Sequence, residues 1–246
     1  MYRFYHSNSL DLNQIIILDE FVSHHALRVM RVKVNDPLIL FNGDGFEYKG
    51  QVNGINKKTI NVEILSKEQN DNESPISINL FQSISSNEKM DMVIQKATEL
   101  GVRTIQPIFS SRSTIKLSLD RTKKRLLHWR QVAISACEQS GRSKIPIIKS
   151  PILFDQITKE IKSLKDSLSL VLHPHNHQQS SNLPKDYSGD INIFIGPEGG
   201  FNKDEILLLK QKNCINMQLG PRILRTETAP LAIIAILQYK YGDFAL

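Results

Sequence analysis

The chain has 246 residues, of which 40% are hydrophobic and 23% charged, and a formal net charge of +6. This is the balance of an ordinary globular protein with enough chain for one large domain or two small ones. The longest uninterrupted apolar run, Ala229 to Leu237, contains Pro230 and falls far short of the roughly 20 residues a membrane-spanning helix needs, so no membrane association is expected.

The first 70 residues read as β structure. Pro37–Phe41 is an apolar run, Asn42-Gly43-Asp44-Gly45 has turn chemistry, and Phe46–Val52 alternates before a further strand over Thr59–Leu65. Strands this short, at this spacing, suggest a small barrel or sandwich. Ahead of them, His24–Lys33 spaces Leu27, Met30 and Arg31 like a short helix. The stretch Ser66–Pro75 (SKEQNDNESP) is polar, lacks any large apolar residue and ends in proline. It is expected to link a domain over 1–70 to a second over 75–246.

Beyond the linker, strands alternate with helices. Ile76–Phe81 reads as a strand, and Met90, Val93, Ile94, Ala97 and Leu100 mark one face of a helix that stops at Gly101. A strand over Thr104–Phe109 precedes a long helix over about 119–139, in which Trp129 is expected to pack. Further strands are expected at Ser169–Leu172, Asn192–Ile195 and Met217–Leu219, and helices at about 152–164, 203–212 and 229–241. This is the pattern of an α/β layer on a largely parallel sheet.

The charge is unevenly placed. Residues 1–70 carry equal numbers of acidic and basic side chains, whereas 112–149 hold ten basic residues, Lys116 among them, against Asp120 and Glu138. Such a segment is either a solvated helix face or a nucleic-acid footprint, since clustered Lys/Arg gain affinity by neutralising phosphates. The two cysteines, Cys137 and Cys214, are far apart without CxxC spacing, which argues against a disulfide or zinc framework. They read as buried small hydrophobes in a reducing, cytoplasmic compartment, and the first residues lack the apolar core of a secretory signal.

In an open α/β sheet, ligands bind beyond the C-terminal ends of strands, which singles out the loops after Leu172, Ile195 and Leu219. The second, Gly196-Pro197-Glu198-Gly199-Gly200, leads to a helix capped by Asn202 with Glu205 three residues on. It fits neither GxxxxGK[ST] nor GxGxxG, and Glu198 would repel a phosphate. A ligand neutral or cationic near the loop, such as a sulfonium, suits it better; a plain tight turn is the alternative. The third loop, Leu219–Pro230 (LGPRILRTETAP), carries Arg225 and Glu227, and Thr226 or Thr228 could cap a helix with Pro230 in its first turn. That helix is apolar around most of its circumference, as a homodimer interface would require. His173, His175 and His177 alternate, but no cysteine or acid neighbours them and no metal is expected.

Four stretches together, QKATELGV (Gln95–Val102), EQSGR (Glu138–Arg142), FIGPEGGF (Phe194–Phe201) and LGPRILRTETA (Leu219–Ala229), resemble the ribosomal small subunit methyltransferase E family. The likeness runs the length of the chain, with MYRFYH, HALRVMRVKVND and FNGDGFEYKGQV similar to its N-terminal domain. One departure is SSNEKMDM, Ser85–Met92, where the family more often has a Lys-Gly-Asp/Glu-Arg lead into the helix.

The resemblance implies an α/β fold with an N-terminal PUA-like β-barrel domain and a C-terminal SPOUT domain tied in a deep trefoil knot. It implies an S-adenosyl-L-methionine-dependent methyltransferase acting on N3 of a uridine in 16S rRNA of the small ribosomal subunit. Carried over by motif, the cofactor pocket is Leu172, His173, Gly196, Pro197, Glu198, Gly199, Gly200, Leu219, Gly220, Ile223, Leu224, Thr226 and Ala229. N3 methylation needs a proton removed and an anion stabilised. Arg225 is assigned to the anion, and Glu227 to the proton or to bracing Arg225. RNA is expected to meet Arg3, Arg28, Arg31, Lys33, Arg112, Arg121, Arg142 and Lys144. Two alternatives stay open: a non-catalytic RNA-binding protein with a decayed pocket, and an enzyme acting on transfer RNA or large-subunit RNA.

Overall fold

The computed structural model describes residues 1–113, 115, 118–160, 167–173 and 183–244. They form two units: Met1–Glu73 with Cys137–Ile145, and Ser74–Ala136 with Pro146–Leu246.

The first unit is built on one five-stranded mixed sheet. Its strands are β1 (Tyr2–Tyr5), β2 (Ile15–Ile17), β3 (Pro37–Phe41), β4 (Phe46–Ile55) and β5 (Ile60–Gln69), ordered β1-β3-β4-β5-β2. Leu38 and Leu40 alternate inward from β3 and meet Val52, Ile60, Val62 and Ile64 in a core that also holds Phe4 and Tyr48. Burying each of these large side chains stabilises the unit by about 1.5–3 kcal/mol.

Two expectations shift in this unit. Helix α1 spans Glu20–Arg28, several residues earlier than the apolar spacing suggested, because the Asp19 side chain accepts from the Val22 amide at 2.8 Å and caps it. It ends before Arg31, which has a left-handed backbone (φ 56°). The polar residues Ser66–Gln69, read as linker, continue β5. Cross-strand contacts hold them: Lys49 pairs with Glu68 at 2.7 Å, and the Lys67 ammonium lies 4.2 Å from the Phe46 ring centroid.

The second unit carries a seven-stranded sheet in which every pairing is parallel. The strands are β6 (Ser77–Ser83), β7 (Thr104–Phe109), β8 (Ile147–Ile148), β9 (Ile152–Leu153), β10 (Leu168–Leu172), β11 (Asp190–Ile195) and β12 (Ile215–Met217). The main path runs β12-β10-β11-β6-β7-β8, with β9 also on β7. Ile191, Ile193, Phe194 and Ile195 of β11 are all buried, as a strand covered on both faces requires.

Helices α2 (Asn87–Glu99), α4 (Phe154–Glu160), α5 (Lys203–Gln211) and α6 (Thr228–Tyr241) belong to this unit. Helix α3 (Leu119–Ser140) begins here, and its last turn belongs to the first unit. Gly101 (φ 85°) follows α2, as the sequence suggested. Trp129 is buried in α3. The helix expected over 152–164 is instead strand β9 followed by α4, because Ile152 and Leu153 pair with Ile108 and Phe109; residues 161–164 lie outside the described residues. Helix α6 packs on α2, where the Gln238 side chain donates to the Leu100 carbonyl at 2.7 Å.

Candidate active site

Strands β12, β10 and β11 are neighbours and run the same way, so their C-terminal ends bring three loops to one edge of the sheet. A cavity of about 320 Å³ opens there, within the roughly 300–1,000 Å³ of small-molecule sites. Leu172 ends β10 and Ile195 ends β11, Gly196 to Glu198 and Gly200 come from the loop that follows, and Ile223 to Thr226 lead into α6, which supplies Ala229. A smaller hollow of about 60 Å³ shares Leu172, Leu224 and Ala229 with it and adds His173, Met217, Gln218, Leu219 and Arg222. Of the thirteen expected cofactor residues, only Gly199 and Gly220 line neither space.

The loop after β11 is shaped by close approach. A Cβ on Gly196 would lie 2.9 Å from the Phe201 amide nitrogen and 3.1 Å from the Gly200 carbonyl carbon, so no other residue fits without moving backbone. Asn202 then caps α5 in a complete capping box with Glu205, whose carboxylate also accepts from the Ser111 amide at 2.7 Å. The Gly199 carbonyl accepts from the Arg112 guanidinium at 2.7 Å. An expected RNA contact therefore also steadies the pocket loop.

Thr226 or Thr228 was expected to cap α6. Instead Glu227 occupies the N-cap of α6 without a side-chain bond, while the buried Thr226 hydroxyl donates to the Gly196 carbonyl at 2.7 Å. The Gln82 amide of β6 donates to that hydroxyl at 3.1 Å. The second and third loops are thus joined through a threonine supported from the sheet below.

The electrostatics involve a residue that the sequence did not single out. Lys89, in the first turn of α2, lines the cavity and holds Glu198 at 2.7 Å and Glu227 at 3.8 Å. Its hydrogen bond holds the Glu198 carboxyl below the usual carboxylate range, and the same bond raises the Lys89 pKa. Arg225 lines the cavity; Glu227 does not, and its buried Oε2 has no hydrogen-bond partner among the described residues. Glu227 therefore meets Lys89 rather than bracing Arg225. Lys89 stands inside the Ser85–Met92 stretch that departs from the family pattern, which is why motif reading passed over it.

A larger cavity of about 710 Å³ lies elsewhere in this unit, with Phe109, Ser111, Phe154, Asp155, Asp204 and Glu205 in its lining. Among the described residues its charged groups are acidic and no basic residue lines it, which does not match the strand-end chemistry above.

The expected RNA contacts divide sharply. In the first unit, Arg3 pairs with Glu47 and donates to the Arg142 carbonyl at 3.1 Å, and Arg142, 4% exposed, pairs with Glu73 at 2.8 Å. Both are committed to holding this unit together, a correction to their reading as RNA contacts. Arg28, Arg31, Lys33 and Lys144 are exposed, as are Arg112 and Arg121 in the second unit; Lys116 lies outside the described residues. No group of three metal-ligating side chains occurs among the described residues, and His175 and His177 lie outside them. Among the described residues no helix is long and apolar enough to cross a membrane.

Comparison with known proteins agrees with this geometry. Residues 72–238 match the model of an RNA methyltransferase domain, and residues 18–65 that of an RNA methyltransferase PUA domain. The ribosomal RNA small subunit methyltransferase E of Buchnera aphidicola subsp. Schizaphis graminum is 39% identical over 243 residues, covering 99% of this chain and 98% of that protein. The Bacillus subtilis protein of the same name is 31% identical over 226 residues, covering 88% and 87%. The crystal structure of the Neisseria gonorrhoeae ribosomal RNA small subunit methyltransferase E bound to S-adenosyl methionine superposes with a TM-score of 0.91. It has 38% identity and full coverage of both chains.

Proposed function

Because this chain belongs to the ribosomal RNA small subunit methyltransferase E family, we propose that it transfers a methyl group from S-adenosylmethionine to N3 of a uridine in 16S rRNA. The observation that carries the reading is the cavity at the ends of β10, β11 and β12, lined by nearly all the residues that the family motifs supply.

The residues fit the cofactor. Gly196 leaves a cradle that a Cβ would fill, the walls are mainly backbone and aliphatic, and the central loop Gly196–Phe201 carries no basic side chain to hold a phosphate. When bound, the cofactor supplies an electrophilic methyl group. The chain's own residues orient the reactants and handle charge. Leu172, Leu224 and Ala229 would wall the bound cofactor from water, and the carbonyls and amides of the loops would be the groups to meet its polar edge. Arg225, facing the cavity, stabilises the anion that develops on the uridine imide. Glu227 is the residue we assign to the N3 proton, on the family motif that carries it. Orientation within such a pocket is worth up to about 7–11 kcal/mol of the barrier.

RNA is proposed to meet Arg28, Arg31, Lys33 and Lys144 of the first unit and Arg112 and Arg121 of the second. Charge reversal at Arg31 and Lys33 is expected to flatten the salt dependence of RNA binding, and an unchanged slope would remove them. The protein is proposed to work in the cytoplasm as a homodimer through α6. The SPOUT knot belongs to the same reading, supported by the convergence of the three loops; an electron-density trace through 173–183 tests it. Calorimetric titration with S-adenosylmethionine separates this enzyme from a non-catalytic RNA-binding protein, for which no binding is expected.

A further inference from the structure

We infer that Arg112 is a positioning residue that couples the two substrates of this site. The guanidinium that holds the Gly199 carbonyl also meets the RNA backbone at the rim, so cofactor and RNA each strengthen binding of the other. The inference rests on the reading of the chain as an S-adenosylmethionine-dependent RNA methyltransferase.

The loop after β7 is built to keep its shape. The Ser110 amide donates to Ser113 Oγ at 3.1 Å, and the Ser83 hydroxyl of β6 donates to Ser110 Oγ at 3.3 Å. The next two residues reach across to the loop after β11. The Ser111 amide donates to Glu205 Oε1 at 2.7 Å and its hydroxyl accepts from Asn202 Nδ2 at 3.0 Å, so this one serine grips both members of the capping box. Arg112 Nη1 then donates to the Gly199 carbonyl at 2.7 Å, at the short end of the range for such bonds.

That bond falls where the pocket loop has least support of its own. The Gly200 amide donates to the Pro197 carbonyl at 2.8 Å and closes a turn, in which Gly200 has a left-handed backbone (φ 67°). Two successive glycines leave the peptide between them wide freedom, with no side chain to anchor it. Arg112 fixes the carbonyl of that peptide, beside Gly200, which lines the cavity. Gly196 and Glu198 are held from other directions, by Thr226 and Lys89.

Arg112 is exposed, and a guanidinium carries five N–H donors in a planar fork. One nitrogen can hold a carbonyl while the others meet a phosphate. A nucleotide whose base enters the cavity brings its phosphates to the same strand-end rim. RNA engaged there keeps the guanidinium against Gly199, and a loop ordered by the cofactor presents the guanidinium to RNA. Such a coupling is reciprocal by linkage.

The test measures the affinity of the chain for unmethylated small ribosomal subunits with and without saturating S-adenosylhomocysteine, the demethylated cofactor, which binds without reacting. It compares wild type, Arg112→Met and Arg121→Met, with thermal melts to confirm folding. In wild type the ligand is expected to tighten subunit binding by about fivefold or more. Arg112→Met keeps an aliphatic stem near Gly199, where the arginine Cδ lies 3.4 Å from the position of a Cβ, and removes every donor. The tightening should disappear, and S-adenosylmethionine affinity without RNA should fall by about threefold or more. Arg121→Met removes a cation of the same basic segment that has no bond to this loop among the described residues. It should weaken subunit binding in both states and leave the ratio as in wild type. A folding role alone would lower the melting temperature and leave the ratio in place. A wild-type ratio near one, a ratio kept by Arg112→Met, or one lost equally in Arg121→Met would each overturn the inference. Failure of the wild-type chain to bind either form of the cofactor would instead remove the methyltransferase reading, and the inference with it.

Discussion

Thr226 Oγ1 donates to the Gly196 carbonyl at 2.7 Å while accepting from the Gln82 amide at 3.1 Å, so one hydroxyl joins two loops of the pocket to the sheet beneath them. Thr226→Val keeps the shape and removes both bonds, leaving the buried Gly196 carbonyl without this donor, while the Gln82 amide keeps only its bond to the Ser83 carbonyl. It should cost about 1–3 kcal/mol in urea denaturation and weaken cofactor binding. Thr226→Ser should retain both properties. Equal stability of the valine variant and wild type would show that the hydroxyl is not what holds these loops.

Gly196→Ala places a methyl group against backbone rather than against a flexible side chain. The loop must move, and S-adenosylmethionine binding measured by calorimetry should fall by at least about tenfold. Binding at wild-type affinity would mean that the loop adjusts without cost.

Glu198 carries a charge that Lys89 already balances, so its main effect is to fix the loop. Glu198→Gln should leave cofactor affinity within about threefold of wild type. The carboxyl is lowered in the folded state chiefly by the Lys89 hydrogen bond. Its stabilising contribution is therefore present above the unfolded-state carboxylate pKa and fades as pH falls through the lowered folded value. With a side chain 47% exposed, the contribution is small and screened by salt. Melts of wild type and variant should differ near neutrality and converge in acid; a gap that widens in acid would reverse the sign.

Burial pushes the thiols of Cys137 and Cys214 up to about 12. Both are therefore protonated at pH 8 and inert to a thiolate-selective reagent in the native state. Iodoacetamide should label neither until the protein is denatured, when both react. Rapid native labelling at either position would contradict the burial.

Ile236 and Tyr239 lie on one exposed face of α6, 40% and 63% accessible, three residues apart. Sedimentation at micromolar concentration should show a dimer, and Ile236→Asp should shift it toward monomer. A wild-type chain sedimenting as a monomer would remove the dimer from the account.

Much of this fold was legible because its signals are local. The period of Met90, Val93, Ile94 and Ala97, the cap at Asn202 and the apolar runs of β7 and β11 each announce an element within a few residues. Strands β2, β8 and β9, of two or three residues, are too short for a period and exist by virtue of their neighbours. The pocket was legible because its loops follow strands in chain order.

Lys89 was not, since its partners are distant in sequence and its surroundings break the family motif. Arg3 and Arg142 illustrate the converse limit. A basic side chain in sequence does not disclose whether Glu47 or Glu73 already holds it.

The central claim is tested most directly by methyl transfer from labelled S-adenosylmethionine to small ribosomal subunits from a strain lacking the gene, followed by nucleoside mass analysis. The account predicts label in N3-methyluridine of 16S rRNA, lost when Gly196 is replaced by alanine. Label in a different nucleoside, or none despite cofactor binding, would contradict it.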